Sequence, residues 1–343
     1  MKIVKKVGIL NLQHTYNYGA VLQAYALESV IRKLGYEVET LDLKPNQGIK
    51  QKVKGLIKNI VNLGDIFEDF RRDNMVRSEK VKTLESNVLS KYNCLVVGSD
   101  QVWRVKFTSS NALSYFFENA PQSVDRISYA ASFGVDIWES EFSNKDLDKR
   151  IRKELNNFKA ISVRESSGVQ ICKDKFNVDA EHVLDPTLLA GRELFDKLTK
   201  SDFDKNKIVI YKLNSDKKFF EHVNKYAIDN NFIIDNIYNM RKYISVNSWV
   251  SKIKSAKLVI TDSYHGVCFC LLFNKQFVCV VNKARGTARL ESLLGSLGLS
   301  SRFVNCISEI DLNELDYIDY ESVNKSLMKM REHSMQFLKH SLK

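Results

Sequence analysis

The residues best suited to chemistry stand in one short stretch, Thr261-Asp-Ser-Tyr-His-Gly266. Histidine exchanges protons near neutral pH, so His265 is a candidate general acid or base. It follows the apolar run Leu258-Val-Ile260, which suits a buried parallel strand. Thr261, Asp262 and Ser263 offer hydroxyl and carboxylate caps for a helix. The helix expected from about Gly266 to Phe273 is apolar on every face, so it should be buried. His265 therefore marks a strand-to-helix junction. Open α/β sheets bind ligands at the carboxyl ends of their strands. A helix start also favours anions, because its first N–H groups have no internal partner. Gly266 lets another backbone or a ligand come close. The plainer reading is that His265 is only a satisfied cap of a buried helix.

Polar residues recur wherever an apolar run ends. His14-Thr-Tyr-Asn-Tyr-Gly-Ala20 follows the strand expected over Lys6 to Leu12. Ser99-Asp-Gln-Val-Trp103 follows Cys94-Leu-Val-Val-Gly98, and Arg164-Glu165 ends Ala160-Ile-Ser-Val163. Arg285 and Arg289 follow the strand expected over Lys275 to Val281. Each has a structural alternative. Arg164 can be a surface ion pair with Glu165 or another acid, and Asp100 a helix cap. His14, expected on a loop facing an inter-domain cleft, can be simply exposed. Arg285 and Arg289 can neutralise Glu291.

The elements that must position these residues alternate along the chain. Val21 to Leu34 has helical periodicity and ends at Gly35. Glu37 to Leu43 is a second strand, giving a βαβ opening. Residues 45–91 are polar and lysine-rich, with amphipathic helices expected over Ile49–Leu63 and Ile66–Val76, and read as a helical insertion packed on the first domain. Val183 to Leu189 closes the first half, with Pro186 expected to break any helix. After a charged connector, strands and helices alternate again: strands over Lys207–Leu213, Phe232–Ile237 and Lys275–Val281, helices over Phe219–Asn230, Trp249–Ser255, Leu290–Leu297 and Glu321–Leu342. The fold class is α/β, with two Rossmann-like domains, residues 1–190 and 191–343, facing a cleft.

The 343 residues are long enough for two cores, and 44% hydrophobic with 27% charged residues is ordinary for a globular protein. The start of the chain has no signal-peptide pattern. No apolar run reaches the roughly 18–20 residues of a membrane span. The expectation is a cytoplasmic protein, with a peripheral contact at the inner face of an anionic membrane left open by the net charge of +11. That charge is dispersed over lysines, no nucleic-acid motif appears, and no nucleic-acid partner is expected. There is no G-x-G-x-x-G and no Walker A pattern. All six cysteines read as buried thiols, and no metal site or cofactor is expected.

Seven motifs stand in an order that resembles the polysaccharide pyruvyl transferase family. They are Asn17-Tyr-Gly-Ala-Val-Leu-Gln-Ala-Tyr-Ala-Leu27, Gly98-Ser-Asp-Gln-Val-Trp103, Ser128-Tyr-Ala-Ala-Ser-Phe-Gly134, Ser162-Val-Arg-Glu165, Leu184-Asp-Pro-Thr187, Thr261-Asp-Ser-Tyr-His-Gly266 and Arg285-Gly-Thr-Ala-Arg289. The resemblance spans about Val7 to Arg302. It implies a GT-B-like pair of domains and transfer of the pyruvyl group of phosphoenolpyruvate onto paired sugar hydroxyls of a surface polysaccharide or exopolysaccharide precursor, giving a cyclic ketal. The acceptor is implied to be a lipid-linked or nucleotide-linked sugar.

The resemblance also assigns residues. His265 matches the family's active-site histidine, Arg164 an arginine that binds the donor, and Asp100 an acid of the donor site. Ser263, Tyr264, Gly266, Arg285, Arg289, Asn17, Tyr18, Gly19 and Ser99 fall within the motifs and become substrate-binding candidates. Some members carry an arginine where this chain has Ser263, so Arg285 or Arg289 are candidates to supply that charge. The chemistry suits these residue types. A proton must reach the methylene carbon of the enol phosphate, sugar oxygens must add, and phosphate must leave. Histidine suits the proton transfers and cationic clamps suit the anion. Two alternatives remain: a GT-B-type glycosyltransferase using a nucleotide sugar, and a non-catalytic glycan-binding protein on the same scaffold.

Overall fold

The computed structural model describes residues 5–12, 14–44, 65–200, 206–214, 217–239, 243–282 and 285–343. The helix expected over Ile49–Leu63 lies outside them. By its contacts the chain divides into two compact units. Unit 1 comprises Met1–Leu56, Asp69–Ala190 and Lys329–Lys343; unit 2 comprises Ile57–Glu68 and Gly191–Met328.

The sheet of unit 1 is built from β1 (Lys6–Leu10), β2 (Glu37–Thr40), β3 (Cys94–Val97) and β4 (Asp125–Ser128). Its order is β2-β1-β3-β4 and every pairing is parallel. A short parallel pair, β5 (Ser162–Val163) with β6 (Glu181–His182), continues it through bridges from Ile127 to Ala160 and from Ala131 to Val163. The runs of β1 and β3 are almost entirely buried, as continuous apolar strands of a covered parallel sheet should be. Because β1 pairs with β2 on one side and β3 on the other, the chain reverses its direction of winding between β1 and β3. Crevices at such switch points are the usual ligand sites of open α/β sheets.

Helix α1 (Tyr18–Lys33) crosses from β1 to β2. The Asn17 side chain accepts from the Ala20 N–H at its start, and Arg32 and Lys33 complement the dipole at its end. Helix α2 (Asp65–Asn74) lies in the region expected as an insertion, which also holds a single helical turn at Ser86–Leu89. After α2 the chain runs beside β2, where the Thr40 N–H donates to the Val76 carbonyl and the Ser78 N–H to the Thr40 carbonyl. That segment thus lengthens the sheet edge as well as packing on it. Helices α3 (Lys145–Leu155), α4 (Ser166–Ile171) and α5 (Pro186–Ala190) follow. Pro186, expected to break a helix, opens one. At the first helical position its missing N–H is no loss, and Asp185 caps the turn by accepting from the Thr187 N–H at 2.9 Å.

Unit 2 repeats the plan with β7 (Lys207–Tyr211), β8 (Ile233–Asn236), β9 (Leu258–Thr261), β10 (Gln276–Val280) and β11 (Phe303–Val304). The order is β11-β10-β9-β7-β8, again all parallel. The switch point here lies between β7 and β9. Helices α6 (Lys217–Asp229), α7 (Val246–Ser255), α8 (Tyr264–Leu272) and α9 (Ala288–Ser296) provide the crossovers. Helix α10 (Tyr320–Leu342) ends the chain; its Phe337, Leu338 and Leu342 lie in the unit 1 core with Val7, Val96 and Ile127. The last residues of the expected second domain, Lys329–Lys343, therefore count with unit 1.

Five cysteines are buried, but Cys306 is exposed and corrects the expectation of six buried thiols. It sits just past the edge strand β11, before a turn of which only Ile307 is buried. Burial pushes the Cys94 and Cys172 thiols up to about 12, which leaves them as inert core residues. Among the described residues no helix is long and apolar enough to cross a membrane.

Candidate active site

In unit 2 the junction after β9 is assembled from its own side chains. The Thr261 hydroxyl donates to the Tyr211 carbonyl at 2.7 Å, tying the ends of β9 and β7 together at the switch point. It also accepts from the Ser263 N–H at 3.0 Å. Ser263 is the N-cap of α8, its hydroxyl accepting from the Gly266 N–H at 3.3 Å. Asp262 is not the cap. Its carboxylate accepts from the N–H groups of Leu213 (2.8 Å) and Asn214 (3.1 Å) and from the Asn282 side chain (2.8 Å), fixing the loops after β7 and β10.

Helix α8 begins at Tyr264, two residues earlier than expected, so His265 lies in its first turn rather than ahead of it. Every residue of α8 is buried, because a helix apolar on all faces has no side to give to water. Gly266 is required by this geometry: a Cβ there would stand 2.4 Å from the Thr261 hydroxyl. His265 is 6% exposed, with its ring set edge-on to Tyr264 at 5.4 Å. The Arg289 guanidinium lies 5.6 Å from the centre of the Tyr264 ring and donates to the Arg285 carbonyl at 3.0 Å. A cation therefore faces the Tyr264 ring, which itself meets the histidine, although Ser263 carries no charge. Arg285 itself is exposed, near enough to Tyr238 to oppose the upward shift that burial imposes on that phenol.

In unit 1 the polar residues meet at the carboxyl ends of β3 and β5. Arg164 is fully enclosed. Its Nη1 donates to Asp185 at 2.7 Å and to the Ser99 hydroxyl at 3.1 Å, and its Nη2 lies 3.5 Å from Asp100. Asp185 also accepts from Ser99 at 3.1 Å and from the Thr187 hydroxyl at 2.7 Å. Asp100 has φ of +82°, a conformation disfavoured for a side chain with a Cβ, and its carboxylate accepts from the Gln101 N–H at 2.8 Å. Glu165 does not pair with Arg164. One of its oxygens accepts from Ser132 (3.0 Å), Phe133 N–H (2.7 Å) and Gly134 N–H (3.0 Å), holding the turn after β4. Asn11, the first residue past β1, is buried, and neither atom of its amide has a hydrogen-bond partner among the described residues.

The structure thus groups Ser263, Tyr264, His265, Gly266 and Arg289 in unit 2, with Arg285 joined through its carbonyl, and Ser99, Asp100 and Arg164 in unit 1. Asn17, Tyr18 and Gly19 serve the start of α1: Asn17 is occupied as its cap, and Tyr18 and Gly19 are buried in its first turn. Asp185 was given no role by sequence reasoning, although Leu184-Asp-Pro-Thr187 was singled out as a motif. Its signal was an acid ending an apolar run just before a helix-opening proline. Among the described residues no three His, Cys, Asp or Glu side chains cluster as a metal site would require.

Two all-parallel α/β units, each with polar side chains at the switch point of its sheet, define a GT-B-like protein. The S. aureus MnaA–UDP structure has this fold, with 11% identity, a TM-score of 0.50 and coverage of 97% of this chain and 90% of that one. The UDP-GlcNAc 2-epimerase from Methanocaldococcus jannaschii is similar over 95% of this chain and 92% of its own, at 11% identity and a TM-score of 0.48. No curated protein matches the sequence. The chain belongs to the polysaccharide pyruvyl transferase family, whose profile matches residues 17–284, and it is a transferase. Arg285 and Arg289 lie just beyond the matched span, and Asn11 and His14 just before it.

Proposed function

We propose that the protein transfers the pyruvyl group of phosphoenolpyruvate to two hydroxyls of a sugar in a surface-polysaccharide precursor, forming a cyclic ketal and releasing phosphate. The observation that carries this reading is His265 in the first turn of a buried helix at the end of β9, edge-on to Tyr264, whose ring the Arg289 guanidinium faces. The α8 start and Arg289 suit the anionic groups of the donor. His265 as imidazolium delivers a proton to the methylene carbon, and the carbon bearing the phosphate becomes electrophilic. A sugar oxygen adds there; a second oxygen then displaces phosphate, and the two hydroxyl protons are lost. Family membership supports the pyruvyl transfer.

In unit 1, Arg164 is assigned to the donor while anchored on Asp185. Its Nη2, 3.5 Å from Asp100, is assigned to a ligand oxygen. Asp100 then offers its carboxylate to a hydroxyl.

The test is incubation with phosphoenolpyruvate and a panel of lipid-linked and nucleotide-linked sugars, read by mass for the added pyruvyl group and by phosphate release. Product on one acceptor with stoichiometric phosphate is expected. Transfer of sugar from a nucleotide sugar, with nucleotide release and no use of phosphoenolpyruvate, would instead make it a glycosyltransferase.

A further inference from the structure

We propose that the gap between the ends of β1 and β3 and the first turns of α1 binds hydroxyl groups of a sugar, with the side-chain amides of Asn11 and Gln23 reading them. The whole of this place belongs to unit 1. It asks nothing of unit 2, and it rests on neither phosphoenolpyruvate nor pyruvyl transfer.

Strand pairing fixes where Asn11 stands. It follows Leu10, which lies opposite Val97 and whose carbonyl accepts from the Gly98 N–H at 2.8 Å. Asn11 is therefore level with Gly98 at the switch point, and Ser99 and Asp100 come next on the neighbouring strand end. A Cβ built on Gly98 would stand 3.5 Å from the Asn11 Cβ and 3.1 Å from the Leu27 Cδ2. The Asn11 side chain thus leaves the sheet on the face that α1 covers. Gln23 comes to the same place from the helix. It precedes Leu27 by one turn on the same face. Because a helix joining parallel strands runs back against them, Gln23 lies nearer than Leu27 to their carboxyl ends.

Both amides are covered, Asn11 at 4% and Gln23 at 0% exposure. The Nδ2 and Oδ1 of Asn11 and the Oε1 of Gln23 have no hydrogen-bond partner among the described residues, while the Gln23 Nε2 donates to the Ala20 carbonyl at 2.9 Å. A buried polar atom left unbonded is rare and costs stability. Such atoms on two facing elements, at the switch point of a parallel sheet, mark the place of a ligand. The way in is the carboxyl edge, where the chain past Asn11 comes to the surface at Thr15.

The unbonded groups select the ligand's chemistry. They are two carbonyl oxygens that accept and one –NH2 that donates. An anion would be repelled by both oxygens. An ammonium group has nothing to accept the –NH2. A hydroxyl donates and accepts, so neighbouring hydroxyls of a sugar satisfy all three atoms together.

Two measurements on the full chain decide. The first is saturation-transfer NMR with glucose, galactose, mannose and N-acetylglucosamine, each offered alone. At least one should bind the unmutated protein. Asn11→Leu and Gln23→Leu should each weaken that binding about tenfold, the worth of one or two hydrogen bonds, and inorganic phosphate should not compete. No binding of any of the four, binding that neither substitution changes, or displacement by phosphate would each overturn the proposal. The second measurement needs no ligand. Leu removes the unbonded polar atoms, so the urea midpoints of the two variants should equal or exceed that of the unmutated protein. Lower midpoints in both would assign the amides to the fold, held by a buried water, and would overturn the proposal. Neither result depends on pyruvyl transfer, so a failed phosphoenolpyruvate screen would leave this site to be judged by its own tests.

Discussion

His265 and Arg164 are both buried polar residues at strand ends, yet their surroundings ask different things of them. His265 meets the Tyr264 ring edge-on, and the Arg289 guanidinium lies over that ring. His265→Ala should keep the fold and lower turnover by about 10²- to 10⁴-fold, the range for a positioned acid or base. His265→Gln should be nearly as slow, because an amide cannot exchange a proton near neutral pH. If Gln restored much of the rate and the defect lay in donor affinity, the histidine would be a clamp and not an acid. Arg164 is anchored on Asp185 at 2.7 Å, with its Nη2 3.5 Å from Asp100. Arg164→Ala should weaken phosphoenolpyruvate binding by roughly 1.5–3 kcal/mol, as for one charge-assisted bond, which calorimetry would read. The same change leaves Asp185 buried without its cation and should cost about 3–5 kcal/mol of stability, seen as a lower urea midpoint. An affinity loss without a stability loss would mean that Asp185 finds another partner.

At the scale of elements, the functional geometry depends on how closely α8 meets the end of β9. Gly266→Ala puts a methyl group against the Thr261 hydroxyl, which is already committed to Tyr211 and Ser263. The expected cost is about 1–3 kcal/mol of stability, with a fall in kcat as the first turn of α8 shifts. Thr261→Ala in the same chain removes the clashing oxygen and should recover part of the loss. A cycle of the two changes that showed strict additivity would contradict this contact. The alternation of strands and helices was legible in the sequence, because covered parallel strands read as unbroken apolar runs and the crossover helices carry a 3.6-residue period. The polar junctions were legible as places, but not as networks. Asp262 looked like a cap and instead binds two loops, since its partners Leu213, Asn214 and Asn282 are far away in the sequence. Arg164 could be read as a surface pair with Glu165 or another acid; the structure sends Glu165 to the turn after β4 and buries Arg164 against Asp185. Pro186 was misread because a proline at the first turn of a helix has the same sequence as one that ends it.

For the molecule as a whole, α10 was foreseeable as an amphipathic helix, but not where its apolar face would go. Its partners are strands from the other end of the chain. The Phe337 ring packs against Tyr129 at 6.5 Å, the Leu184 N–H donates to Ser334 at 2.9 Å, and the Tyr36 hydroxyl donates to the Leu342 carbonyl at 3.1 Å. Leu338→Ala should destabilise unit 1 by about 2–5 kcal/mol, the cost of a cavity in a packed core. Emission from Trp103 and Trp138, followed against Trp249 in unit 2, should show unit 1 unfolding first. Equal shifts of both would mean that the units unfold together. The route of α10 also bears on how the protein is made. The first sheet leaves the ribosome early, but the residues that cover Val7, Val96 and Ile127 are translated after all of Gly191–Met328. At ~5–20 residues per second, that apolar surface waits on the order of ten seconds for its cover. A nascent chain stalled before Lys329 should therefore be a chaperone client, and the 343-residue chain carried clear of the ribosome on an added linker should not.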